Sequence, residues 1–224
     1  MIDVDERIGV TSRVGIPQQS SARGREDPVE HAVRYAGERH WEVLPGAWLE
    51  QHEGTLRCSC AAEQCDAPGA HPRTPLWEAQ ATGSAAAARA MWRDRPQASV
   101  LLPTGRSFDV LEVPEAAGCL ALARMERMGL SLGPVSATPT GRMMFFVLPG
   151  GAAKAPVLLR KCGWAAGRLD LAVHGEGQYV PAPPTRMGPR GCVQWVRRPT
   201  AANRWLPDAE ELLPPLAYAC GQSR

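Results

Sequence analysis

VLEVPEAAG, residues 110–118, decides how this chain is read. With the two residues before it, FDVLEV reads as a buried strand. PEAAGCLALARMERMG reads as the helix that follows, with Pro114 at its start and Gly129 at its end. Side chains two apart on a strand share a face. Glu112 and residue 114 are therefore the pair that a strand end of this kind would use to hold a metal. Glu112 supplies a carboxylate. Pro114 supplies none. The stretch is either a metal-dependent site or the remains of one. Asp109 is three residues from Glu112, so it falls on the opposite face and is expected to point to solvent.

Upstream, ASVLLPTG is an apolar strand stopped by Pro103-Thr104-Gly105, and SAAAARAMWRD is a helix capped by Ser84. Residues 54–75 form a loop rich in Cys, Pro and Gly, after the short strand WEVLPG. DPVEHAVRYAGERH is a helix with Asp27 as N-cap, Pro28 at its first position and Glu30 in its first turn. Residues 1–27 are polar and aperiodic, and a disordered tail is expected there.

Downstream, PVSATPT and RMMFFVLPG are two strands joined by a tight turn, and APVLLRKCGW is helical. RLDLAV and QYVPAPP are strands around the turn HGEG, and VQWVRR is a further short strand. DAEELLPPLAYAC is a helix interrupted near Pro214. Helices and strands alternate, but hairpins intervene. The pattern predicts an α+β (mixed α/β) class with a mixed sheet core and flanking helices, in one domain over 28–224 with the 54–75 loop inserted.

The 224 residues are 44% hydrophobic and carry a net charge of +2. That composition suits a packed core and excludes a general basic field for polyanions. Lys154 and Lys161 are the only lysines. The dominance of Arg, Ala, Gly and Pro fits GC-rich coding. No apolar run is long enough for a membrane, and MIDVDERIGV does not resemble a signal peptide. A cytoplasmic protein is expected.

CSCAAEQCDAPGAHP supplies Cys58, Cys60, Cys65 and His71 within one loop. Three thiols and an imidazole make a full tetrahedral set for Zn²⁺. A reduced compartment favours metal over disulfide. His52 is an alternative ligand. With every position filled, such a zinc is structural. Cys119, Cys162, Cys192 and Cys220 are isolated, and Cys in apolar or helical contexts packs as a small hydrophobe.

From about residue 29 to about residue 196, the chain resembles the N-terminal domain of bifunctional DNA primase/polymerases, the prim-pol group of the archaeo-eukaryotic primase superfamily. AVRYAGERHWEVLPG matches the opening helix and strand. Cys58, Cys60, Cys65 and GAHP match a Cys-x-Cys…Cys…Gly-Lys-His-Pro element. Ala81, Thr82 and Trp92, then Thr104-Gly105, TPTG and QYVPAPPT, follow in the family's order. No P-loop or helicase-like segment accompanies them, so the resemblance is to the stand-alone domain.

The resemblance implies Asp-x-Asp or Asp-x-Glu on the metal strand, holding Mg²⁺ or Mn²⁺ against nucleotide phosphates. Here the two positions are Glu112 and Pro114. The family's triphosphate-contacting His falls at Met143 or Met144; alternation sends one Met to each sheet face. Asp170 matches the third carboxylate, and the Arg expected shortly after it is replaced by Ala172 or Val173. Arg142, Met144, Thr138 and Thr140 are the candidate nucleotide contacts. Arg160, Lys161, Trp195, Arg197 and Arg198 are the candidate nucleic-acid contacts, with Trp195 either stacking a base or packing in the core.

Three functions follow from this pattern. The favoured one is a degenerate member that binds nucleotide or nucleic acid in a regulatory or accessory role. The second is an active polymerase using Glu112 and Asp170, with Glu115 as a further ligand candidate and Mg²⁺ or Mn²⁺ weakly held. The third is a protein-interaction module without nucleotide.

Overall fold

Asp27 starts the first helix: its Oδ1 accepts from Val29 N at 2.9 Å, and Pro28 takes the first helical position, where a missing N–H costs nothing. The computed structural model describes residues 27–165 and 167–222. The tail expected over 1–27 lies, apart from Asp27, outside the described residues. In chain order the elements are α1 (Pro28–Arg39), β1 (Leu44–Gly46), β2 (Leu49–His52), β3 (Thr55–Cys58), α2 (Ala85–Trp92), β4 (Ser99–Pro103), β5 (Asp109–Pro114), α3 (Glu115–Arg127), β6 (Val135–Thr138), β7 (Arg142–Val147), α4 (Gly151–Lys161), β8 (Ala172–His174), β9 (Tyr179–Ala182), β10 (Gln194–Arg197) and α5 (Ala209–Gln222).

The strands form a sheet β1-β4-β9, a larger sheet β10-β6-β7-β5-β8 and the ribbon β2-β3. The class is α+β, as expected. The sheets, however, pair antiparallel throughout rather than mixed. The reason is topological. Helix α3 links β5 to β6, which run the same way, but β7 enters between them and pairs antiparallel with both. The run β5-α3-β6-β7-α4-β8, in spatial order β8-β5-β7-β6, is a split βαβ, ferredoxin-like arrangement.

Alternation along β5 and β7 divides the core in two. Leu111, Val113, Phe145 and Val147 pack toward α3, α4 and α5. Val110, Met144 and Phe146 face the layer built on α1, α2 and β4, where Trp41 stacks on Phe146 with centroids 5.3 Å apart. Among the described residues no helix is long and apolar enough to cross a membrane.

Asp109 faces the helices, not solvent, which corrects the expectation for it. It is 1% exposed, and its Oδ2 accepts from Ala152 N at 2.8 Å. Helix α4 begins after Gly150 with no side-chain cap of its own, so Asp109 satisfies an N–H that the helix cannot. Asp109→Ala should cost about 1–3 kcal/mol, lowering Tm by roughly 2–12 °C. A melt that does not move would show that this cap is dispensable.

Four boundaries differ from expectation. Pro114 is the last residue of β5, paired with Arg142, and serves as N-cap of α3 rather than its first residue. Helix α5 runs unbroken through Pro214 and Pro215. The bonds lost there would have gone to the carbonyls of Glu210 and Glu211, which sit in an exposed first turn that water can serve. Only Ala172–His174 of RLDLAVH is paired, so Asp170 precedes the strand. The 54–75 loop begins with β3, which pairs with β2 across the turn Glu53-Gly54.

Candidate functional site

Glu112 sits opposite Met144 on one side and Ala172 on the other, so these three side chains share a face of the large sheet. Arg142 and His174, two residues along from those partners, share it too. They converge. Arg142 Nε donates to Glu112 Oε1 at 2.7 Å. Arg142 Nη1 reaches both oxygens of Asp170, at 2.9 and 2.8 Å. His174 Nε2 lies 2.7 Å from Glu112 Oε2. One guanidinium thus spans both carboxylates, and both oxygens of Glu112 are engaged. The turn Thr138-Pro139-Thr140-Gly141 presents Arg142: its backbone N–H donates to Thr138 Oγ1 at 3.2 Å, and the Thr138 and Thr140 hydroxyls are 2.8 Å apart.

Burial alone would raise the pKa of Glu112. The hydrogen bonds from His174 and Arg142 outweigh it and hold the carboxyl below its ordinary value. Burial lowers the Arg142 pKa, but Glu112 and Asp170 together raise it. A depressed carboxyl pKa stabilises the fold above the unfolded pKa, and that stability is lost as pH falls through the folded value. The acid side of the stability profile should therefore flatten in Glu112→Gln below the ordinary carboxylate range. Parallel acid titrations of both proteins, followed by circular dichroism, would contradict the account if they superimpose.

The other candidates are placed as follows. Met144 shares the Glu112 face but is 1% exposed, packed in the core beneath, so it cannot touch a ligand as the protein stands. Met143 packs on the opposite face against Gly118 of α3. Trp195 is not free to stack a base: its Nε1 donates to Tyr35 Oη at 2.8 Å and its ring packs on Phe146 with centroids 5.4 Å apart. Arg197 pairs with Glu126 at 3.1 Å. Arg160 and Lys161, ending α4, and Arg198 are exposed. Cys119 and Cys162 are exposed rather than packed; Cys220 is buried. His174 is the functional candidate that sequence reasoning missed.

Sγ of Cys58, Cys60 and Cys65 and a ring nitrogen of His71 lie within 4.8 Å of one another. Tetrahedral thiolates on one zinc would sit about 3.8 Å apart, so the set fits one ion with a small contraction. His71 Nε2 is 3.4 Å from Cys58 Sγ, while its Nδ1 is 2.7 Å from the Pro72 carbonyl. That second contact fixes the tautomer with Nε2 as the free ligand atom. The Ala62 N–H pulls the Cys60 thiol down to about 7, whereas burial pushes Cys65 up to about 11. A bound metal would have to displace the Cys65 proton.

A family model, bifunctional DNA primase/polymerase, N-terminal, matches residues 32–208. The chain belongs to this prim-pol family. No curated protein and no solved structure matches it.

Within a prim-pol domain, the Glu112 face is where the resemblance places Mg²⁺ or Mn²⁺. Of the positions involved, Glu112 and Asp170 carry carboxylates and Pro114 does not. A hard divalent cation needs an octahedral set of oxygens with carboxylates free to bind. Here Pro114 offers none, and Arg142 occupies the space between Glu112 and Asp170. Arg142 comes from β7, paired with Pro114 at the end of β5. The Cys/His loop docks on the body of the domain through Ala47 N to His71 O at 2.8 Å and Gly188 N to Pro68 O at 3.1 Å.

Proposed function

We propose that this prim-pol domain has exchanged nucleotidyl transfer for binding, and serves as an accessory or regulatory module that holds nucleotide or nucleic acid without turning it over. The observation that carries the proposal is the guanidinium of Arg142 spanning Glu112 and Asp170. Phosphoryl transfer needs cations poised on phosphates. A cation already neutralised by two carboxylates is not available for that work. Glu112 and Asp170 are, in this reading, remnant metal ligands turned into a structural clasp, with Thr138 and Thr140 shaping the turn that holds it.

The exposed cations Arg160, Lys161 and Arg198 are the residues we assign to phosphate contact. Cys58, Cys60, Cys65 and His71 are assigned to one structural zinc, which a reduced cytoplasmic setting suits. Fluorescence anisotropy with a labelled single-stranded oligonucleotide tests the binding. Changing Arg160, Lys161 and Arg198 together to Ala should weaken it by roughly tenfold or more and flatten its salt dependence. Affinity and salt slope that survive the triple change would remove these residues from the account.

A further inference from the structure

The ribbon β2-β3 is two strands of mostly exposed residues, and two strands alone are marginal in water. Its turn residues Glu53 and Gly54 have φ of 48° and 79°, the two-residue hairpin geometry that makes His52–Thr55 a hydrogen-bonded pair. At the other end Ser59 N donates to Trp48 O at 2.8 Å. Antiparallel pairs alternate, so Trp48, Glu50 and His52 direct their backbone groups to β3. Those of Leu49 and Gln51 face away from it. Among the described residues β2 has no other neighbouring strand.

Along that edge opens a cavity of about 610 Å³, lined by Leu49, Glu50 and Gln51 and by Ser99 of β4. Ser99 is 4% exposed, and among the described residues its Oγ has no hydrogen-bond partner. Gly46 lies across from it in the sheet, and a Cβ at Gly46 would collide with that hydroxyl. An unpaired buried hydroxyl is costly, and a ligand could recover that cost.

We infer that this edge and cavity form a docking site for an extended, uncharged polar segment of a partner protein. The segment adds a third strand to β2 and inserts one hydrogen-bonding side chain toward Ser99. An edge of outward N–H and C=O groups is matched by polypeptide backbone. The carboxamides of Gln97 and Gln194 also line the cavity, and the charges of Glu50 and Arg186 offset each other there. That rim favours neither an acidic nor a basic segment. The site is separate from the Arg142 clasp and stands or falls independently of it.

The probe is the peptide acetyl-Thr-Val-Thr-Asn-Thr-Val-Thr-amide, titrated into the full chain and followed by amide NMR. The Leu49 and Gln51 amides should shift and become protected from exchange. Gln51→Pro, which removes an outward N–H, should weaken binding roughly tenfold. Ser99→Ala should abolish the preference for this peptide over one with Val in place of Asn. If Gln51→Pro fails to fold, the Ser99→Ala comparison decides alone. No shift at Leu49 and Gln51 with millimolar peptide would overturn the proposal. So would protection already present in the free chain that disappears on removing residues 2–26, or on dilution; those results would name this chain's own segment, or a second copy, as the occupant.

Discussion

Arg142→Gln should unfold at a lower temperature than the parent and, unlike the parent, be stabilised by Mn²⁺. The parent guanidinium makes three short contacts to two carboxylates, with Glu112 and Arg142 about a fifth exposed and Asp170 67% exposed. Such a pair is worth more than a surface ion pair and less than a fully buried one, so a loss of about 2 kcal/mol is expected, or a Tm fall of roughly 4–8 °C. Removing the cation leaves Glu112 and Asp170 facing each other. A divalent ion that binds the folded form then raises Tm in proportion to its concentration. The double variant Arg142→Gln, Glu112→Gln should lose that response. Equal Mn²⁺ effects on parent and Arg142→Gln would show that Arg142 does not stand where the ion would.

Cys65→Ser should release the metal and give the largest stability loss of any single change considered. In small zinc modules the metal supplies about 10–16 kcal/mol of folding free energy. The Cys/His loop is tied to the body of the domain by the Ala47 N to His71 O bond, and Gly69 of the loop fits closely between Leu49 and the Arg186 carbonyl. Only part of the metal's free energy passes to the whole fold; a third of it would lower Tm by roughly 7–20 °C. Elemental analysis should find one zinc per parent chain and none in the variant. A metal-free parent that melts normally would remove zinc from the account.

The helix caps, the strand-to-helix passage at VLEVPEAAG and the family itself were legible because each is written in adjacent residues. The Cys/His cluster was legible for the same reason: its ligands fall within fourteen consecutive positions, from Cys58 to His71. The clasp was not. Arg142 lies 30 residues from Glu112 and 28 from Asp170, and only the register Pro114–Arg142 brings them together. Read alone, Arg142 is a loose cation after a turn, as suited to phosphate as to carboxylate. His174 is hidden because HGEG reads as a turn; one more residue of strand puts it on the face of Ala172 and beside Glu112. Asp109 misleads because a charged strand residue ordinarily faces solvent, whereas alternation from Leu111 points it at the start of α4. Trp195 needed the aromatic cluster of Tyr35, Trp41 and Phe146, drawn from two distant segments.

Primer extension by the unmodified chain, with deoxynucleoside triphosphates and either Mg²⁺ or Mn²⁺, shows whether the domain still transfers nucleotides. The clasp formed by Arg142, Glu112 and Asp170 predicts no product above a no-protein control in either metal. Template-dependent extension that Glu112→Ala or Asp170→Ala abolishes would contradict it, and would mean that Arg142 leaves the carboxylates when nucleotide arrives.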